Sequence, residues 1–457
     1  MGYYTKQLSQ TAITTQLLQH SYYNTVIVTA RKPLITMPTI EFDAPKELQH
    51  VYLVGGAVRD KLLGVACNDR DFVVVGESTE NMEGLGFQSV GDDFPVYLHP
   101  KTKEEYALAR TERKTGNGYR GFAADANKNI TLEYDLARRD LTINSMAMDK
   151  YGRIFDPYNG QEDLINKVLK HTTESFAEDP VRVLRVARFY ARLGPQWQIH
   201  KSTKQLMSDM FNNGELTHLV AERVYKETER ALMEPYPYLF FETLIDFGLF
   251  PELANMRGVP QPFKHHPEGD VFVHTMLVLQ RAADLHFDLP TRFAALTHDF
   301  GKPVAFARYA KLYQHEQLGI EVIERFCQRL KIPKKLTEIA KLTSDNHTQC
   351  HRIRELTPKK LHVFLIDNMN VLKNELRFFQ FLDACRCDAQ GRGPTLVNKP
   401  YPQSDIAKSY LLSLKKLDTK KIVKQAILNG CVGEQISDQL RIAEIENIRV
   451  HQMSMGQ

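Results

Sequence analysis

The chain has 457 residues, 43% of them hydrophobic and 25% charged, with a net charge of +4. No apolar run reaches the ~18 residues of a membrane-spanning helix, and six cysteines in this length make no disulfide framework. A globular protein of roughly two to four domains is expected, and its mild positive excess permits a polyanionic partner without requiring one.

Residues 1–49 are rich in Thr, Gln and Tyr and show no sustained periodicity; they read as an extension of unknown role. The start lacks a basic-then-apolar signal pattern, so a cytoplasmic protein is expected. From Val51 short β-branched runs begin: VYLV, DFVVV, PVYLH, EYALAR, TLEYDL, MAMD and RIFDP. They alternate with helical spacing and predict a mixed α/β unit ending near residue 160.

The first run continues as VYLVGGAVRDKLLG, which reads as strand, Gly-Gly turn, helix. Glycines at 55 and 56 let backbone N–H groups approach a phosphate, and Arg59 one turn on can add a charge-assisted fork. The next run opens with Asp69-Arg70-Asp71. On a strand such a pair projects from one face about 6–7 Å apart. Two carboxylates so placed repel unless a cation lies between them, and hard oxygen ligands suit Mg²⁺ with substrate phosphates. Asp-x-Asp alone equally fits a solvated turn. Cradle and carboxylate pair together are much more specific and point to nucleotidyl transfer. Glu105, opening EYALAR, is the candidate third carboxylate; an exposed charge at a strand end is the competing reading.

Beyond about residue 165 apolar residues recur at three and four, and the remainder is expected to be helical. In EDPVRVLRVARF, Pro180 can start a helix with Glu178 and Asp179 at its positive end. Arg182, Arg185 and Arg188 form a polar stripe beside Val181, Leu184 and Phe189. Taken alone the stripe reads as a solvated face; functionally it reads as a base-reading surface. Asp accepts from an exocyclic amine and Arg donates to ring acceptors, a pattern that ATP and CTP match and GTP and UTP do not. Further on, His274 lies on an amphipathic helix and His298-Asp299 ends another. His315, His347 and Asp388 follow. Imidazoles with carboxylates suit a transition metal better than Mg²⁺. Pro-containing stretches at 258–267 and 394–402 suggest block boundaries. Cys385 and Cys387 lack a second pair and read as reduced thiols rather than zinc ligands. Lys415, Lys416, Lys420, Lys421 and Lys424 form a basic patch that fits phosphate contacts or a solvated helix end.

Five motifs in order, LVGGAVRD, DRD, RRDLTINSMAMD, DPYNGQEDL and EDPVRVLRVARF, resemble the head and neck of class II tRNA nucleotidyltransferases, the CCA-adding enzymes, and of the related bacterial poly(A) polymerases. With the His-Asp segment the resemblance is to bacterial CCA-adding proteins that carry an HD phosphohydrolase domain, over about residues 51–440. It implies an α+β fold: a nucleotidyltransferase head with a mixed or antiparallel sheet, then an all-α neck, body and HD-type domain. The expected divisions are 1–49, 50–165, 166–260, 261–395 and 396–457.

The resemblance also implies roles. Asp69 and Asp71 would hold Mg²⁺, and Gly55, Gly56 and Arg59 would contact the triphosphate. Arg139 and Asp140 would hold ribose and phosphates. Asp179 and Arg182 would read the base, with Arg185 and Arg188 lining the nucleotide pocket. His274, His298, Asp299 and Asp388 would hold Ni²⁺ or another transition metal, with His315 and His347 as additions, for cyclic phosphodiesterase, 2′-nucleotidase and phosphatase activity. The implied partners are tRNA, ATP and CTP, with no membrane, in a monomer or a homodimer. The alternatives are a poly(A) polymerase and a non-catalytic tRNA-binding protein.

Overall fold

The alternating runs after Val51 build a seven-stranded sheet. The strands are β1 (Val51–Val54), β2 (Asp71–Val74), β3 (Gln88–Val90), β4 (Val96–Leu98) and β5 (Glu105–Leu108), then a separate hairpin of β6 (Thr111–Lys114) and β7 (Phe122–Asp125), then β8 (Ala147–Met148) and β9 (Ile154–Phe155). The computed structural model describes residues 46–67, 70–90, 96–114, 122–125 and 128–456, and only the backbone of the β6–β7 hairpin. The extension at 1–45, with its TVIVTA run, and Asp69 lie outside the described residues.

The sheet order is β3-β4-β5-β2-β1-β8-β9. All its neighbours are antiparallel except β2 and β5. Pleating sends alternate side chains to opposite faces. Phe72 and Val74 join the main core, with Phe72 stacked on Tyr106 at 4.6 Å. Val54 and Val73 pack on the other face with Ile130, Leu136 and Ala147. Register then fixes the site. Asp71 pairs with Glu105 across the parallel ladder and with Val54 across the antiparallel one. The Gly-Gly turn, Asp71 and Glu105 therefore emerge together at one sheet end.

The TLEYDL run is a helix, Leu132–Ala137, and not the expected strand. Thr131 caps it by accepting from the Tyr134 N–H. Its alternation is accidental: Leu136 is buried but Tyr134 is exposed.

From Gly160 on the chain is helical apart from the two short parallel strands Val168–Leu169 and Gln198–Ile199. The helix Val181–Leu193 starts after Pro180 as its proline predicts. It is covered by Ala221–Leu232 and Tyr238–Leu244. One hydrophobic cluster runs from Leu48 to Ala340 and a second from Cys350 to Ile448. Arg292, buried on the helix Leu289–Thr297, ties the later helices to the neck. It donates to the carbonyls of Phe287 (2.8 Å), Leu232 (2.9 Å) and Glu234 (3.0 Å). Among the described residues no helix is long and apolar enough to cross a membrane.

Candidate active sites

The first site is a cleft of about 620 Å³ between head and neck. Its floor follows from the register above: Asp71 and Glu105 are exposed at the sheet end and both line it. Gly55 has φ +68° and ψ −130°, a conformation closed to side-chain-bearing residues. A Cβ there would also lie 2.9 Å from Arg139 Nη1. The glycine thus supplies both the turn and the close approach of Arg139 to the backbone. Eleven arginines and lysines line the cleft against five carboxylates. That excess suits a bound polyanion.

Many of these charges are already engaged. Arg192 Nη2 donates to Asp60 (3.0 Å), Asp60 accepts from Arg59 Nε (2.9 Å), and Arg59 Nη1 donates to the Asn144 amide oxygen. Asn144 in turn donates to Asp140 Oδ1 (2.9 Å), and Arg185 Nε donates to Asp140 Oδ2 (2.7 Å). This chain joins the glycine-turn helix to the neck helix. Burial would push the Asp140 carboxyl up, but Arg185 and Asn144 hold it well below the usual carboxylate range. Asp140 is therefore a buried strut rather than an exposed carboxylate. The arginine stripe is not a solvated face either. Arg182 and Arg188 are buried; Arg182 donates to the Ser175 carbonyl at 2.6 Å and Arg188 to Glu227 at 2.6 Å. Phe189 sits under the guanidinium groups of Arg188 (4.8 Å) and Arg59 (5.0 Å).

The second site is a buried cluster. His274 lies on the helix Val271–Asp284, His298 caps Leu289–Thr297, His315 opens His315–Arg329, His347 lies on Lys334–His351 and Asp388 on Glu375–Gln390. Five chain segments thus converge. His274, His298 and Asp388 offer ligand atoms within 4.8 Å of one another, and so do Asp299, His315 and His347. Asp299 stands between the groups. Its Oδ2 lies 3.1 Å from His298 Nε2 and 3.8 Å from His274 Nε2, while its Oδ1 lies 3.6 Å from His315 Nε2 and 3.7 Å from His347 Nε2. Asp299 Oδ2 is met by Lys302 and His298, but Asp299 Oδ1 is buried with no hydrogen bond among the described residues, the mark of an atom arranged for something the protein itself does not supply. Burial would raise the Asp299 carboxyl, but His298 and Lys302 hold it well below the usual range. Burial pushes His347 down to about 3, leaving a neutral imidazole with a lone pair to donate. The donor set fits a transition metal.

The chain matches the family model "Poly A polymerase head domain" over residues 51–170, "Probable RNA and SrmB- binding site of polymerase A" over 197–256 and "HD domain" over 271–372. It is 47% identical over 412 residues to a multifunctional CCA protein of Acinetobacter baumannii (strain SDF), spanning 89% of this chain and 99% of that relative. The chain belongs to the multifunctional CCA protein family. It is thereby an enzyme of the tRNA nucleotidyltransferase class, and the non-catalytic alternative falls away. The fold is also that of the Thermotoga maritima CCA-adding enzyme solved with tRNA (TM-score 0.56, 20% identity, 89% of this chain and 91% of that one). A CCA-adding enzyme solved with CTP shares it too (TM-score 0.56, 20% identity, 87% of each chain).

Around the residues expected from the family motifs stand several that the motifs do not reveal. The Glu268 side chain, 2% exposed, lies 2.7 Å from His274 Nδ1 and 2.9 Å from His266 Nδ1. Lys302 Nζ lies 2.6 Å from Asp299 Oδ2. Arg392 Nη2 donates to Asp388 Oδ1 (3.0 Å), and His351 Nε2 lies 2.6 Å from Asp388 Oδ2. The Tyr401 hydroxyl is 2.9 Å from His351 Nδ1. Three of these carry a signal in the sequence. His351 is one helical turn after His347, Lys302 one turn after Asp299 and Arg392 one turn after Asp388. Tyr401 reaches the site only through the tertiary fold. In the basic patch, Lys415 is paired with Glu375.

Proposed function

We propose that this chain adds C, C and A to the 3′ end of tRNA, taking CTP and ATP. The observation that carries this reading is the register of β1, β2 and β5, which sets Asp71 and Glu105 side by side next to the glycine turn, under an arginine-rich neck. In this reading residues 50–165 carry the chemistry and 166–260 select the base. Asp69 and Asp71 would hold Mg²⁺, which supplies acidification of the attacking 3′-hydroxyl and charge for the departing pyrophosphate. The backbone at Gly55 and Gly56 approaches the triphosphate. Arg139 is held at the turn by the missing Cβ of Gly55, with Asp135 accepting from its Nη2 at 3.0 Å. Asp140 and Asn144 keep Arg59 and Arg185 at fixed positions on the cleft wall. No side chain need act as a covalent nucleophile.

The buried histidine cluster would act separately as a phosphohydrolase on phosphomonoesters and 2′,3′-cyclic phosphates at RNA ends, within residues 261–395. His274, His298, Asp299 and Asp388 would hold Ni²⁺ or another transition metal, with His315 and His347 across Asp299 for a second ion. Such metals supply Lewis acidity and an activated water. Glu268 keeps His274 in one orientation, as carboxylates behind metal-binding histidines do. The six free cysteines suit a reducing compartment, the cytoplasm.

The test is incubation of the purified chain with Mg²⁺, tRNA ending before CCA and CTP, ATP or both, followed by sequencing of the products. CTP alone should give two added C, and both nucleotides CCA. The family models named for poly(A) polymerase make the rival outcome definite: long A tracts without C would overturn CCA addition.

A further inference from the structure

Asp179, read above as the acceptor for a nucleobase amine, is not a loose carboxylate. Arg223, on the helix Ala221–Leu232, grips it with both prongs of its guanidinium. Nη1 donates to Oδ1 at 3.0 Å and Nη2 to Oδ2 at 2.8 Å. The Val181 backbone N–H also donates to Oδ1, at 3.1 Å. An ionised carboxylate has about four acceptor directions. Among the described residues three are taken, and the one left is on Oδ2. Both side chains line the cleft, with Arg223 27% and Asp179 20% exposed. One turn further along the same helix Glu227 accepts from Arg188. The helix therefore holds the neck at two points, Asp179 just before Val181–Leu193 and Arg188 on it, from residues four apart on its own surface.

We propose that Arg223 is a positioning residue that sets nucleotide selectivity, by locking the plane of the Asp179 carboxylate so that it offers the base a single, fixed acceptor. This rests on the assignment of base reading to Asp179. A base with an exocyclic amine at that position donates to the remaining acceptor. A base with a carbonyl there brings oxygen against oxygen with no hydrogen between them. A loose carboxylate would relieve that repulsion by turning about its Cβ–Cγ bond, and the fork prevents the turn. What Arg223 contributes is therefore rejection of UTP and GTP more than affinity for CTP and ATP. A lysine cannot replace it, since a point charge does not fix a plane.

The experiment compares the full-length wild type with Arg223→Lys, Arg223→Gln and Asp179→Asn. Each is given tRNA acceptors ending before C or before A and each of the four nucleoside triphosphates, and kcat and KM are measured separately. Both Arg223 variants should lower the kcat/KM ratios of CTP over UTP and of ATP over GTP by roughly tenfold or more, the size of one charge-assisted hydrogen bond. The gain should fall mainly on the wrong nucleotides. Arg223→Lys keeps the charge, so it serves should Arg223→Gln fold poorly. If all four rates fall together at unchanged ratios, Arg223 only packs its helix and the proposal is overturned. If Asp179→Asn shifts the ratios while the Arg223 variants do not, base reading by Asp179 stands and the role of Arg223 fails. If Asp179→Asn leaves the ratios at the wild-type values, the assignment of Asp179 fails and takes the proposal with it.

Discussion

Gly55 is the residue on which the first site turns, because its backbone conformation and its missing Cβ are both used. Gly55→Ala would force an L side chain into a region that costs of order 1–3 kcal/mol. It would also place a methyl 2.9 Å from Arg139 Nη1. At Gly56 the added Cβ would meet only the tip of Arg59, at 3.4 Å, with ordinary φ. Gly55→Ala is therefore expected to lower the melting temperature and raise the KM for CTP by tenfold or more, an effect of about 1.4 kcal/mol, while Gly56→Ala changes both far less. Thermal denaturation and steady-state kinetics on the pair check this; equal effects at the two positions would refute the conformational argument. Local demands of this kind are legible in the amino-acid sequence, since a glycine pair at a strand end and a carboxylate at a strand start announce themselves. Arg223 and Glu268 are not legible there. Arg223 is 44 residues from Asp179 in the chain, and nothing local distinguishes it from the other charges of AERVYKETERAL. Glu268 is near His274 in sequence, but its role shows only once burial removes it from water.

At the scale of elements, periodicity finds the neck helix Val181–Leu193 but leaves its polar stripe open between a solvated face and a cleft wall, because a stripe looks solvated until its cover is known. The same limit makes TLEYDL look like a strand: an alternating pattern of five residues also fits one and a half turns of helix, and the Thr131 cap decides it. A further half-buried carboxyl lies on Tyr238–Leu244, which packs on the neck helix. Glu242 Oε1 is itself buried with no hydrogen bond among the described residues, and burial pushes the carboxyl up to about 7, with Arg257 only partly opposing. The folded state then keeps a proton that the unfolded state releases near pH 4.5. Below that pH the contribution of Glu242 is fully present, and it is lost as pH rises through 7. Glu242→Gln removes the penalty of ionising a buried group. Urea denaturation should find the variant nearly as stable as the wild type at pH 5, and more stable by about 2 kcal/mol at pH 8. A stability gap that does not widen between these two pH values would show that Glu242 is already hydrated in the folded protein.

At the scale of the whole molecule, the two sites share a scaffold but no side chains. The cleft draws on the strand ends and the helices Val181–Leu193 and Ala221–Leu232, whereas the histidine cluster draws on helices after Val271. Their link is packing: Arg292 holds the C-terminal end of Ala221–Leu232 from the helix that His298 caps. Packing of this kind transmits position but not chemistry, so each site should fail alone. Asp71→Asn removes one carboxylate from the cleft floor, where it is exposed and its loss leaves no buried charge. Nucleotide addition to tRNA should drop at least a hundredfold, as for loss of a metal-binding carboxylate. Hydrolysis of 2′,3′-cyclic nucleotides with added Ni²⁺ should be unchanged. His298→Ala should do the reverse, and it should also lower the amount of Ni²⁺ retained after dialysis, a readout that needs no turnover. The nucleotide-addition rate of His298→Ala separates the two views of the scaffold. A wild-type rate means that the head and neck hold the cleft by themselves. A fall in both activities, with the melting temperature preserved, would mean that Arg292 and the helix behind it couple the sites, and the account of two independent centres would have to be given up.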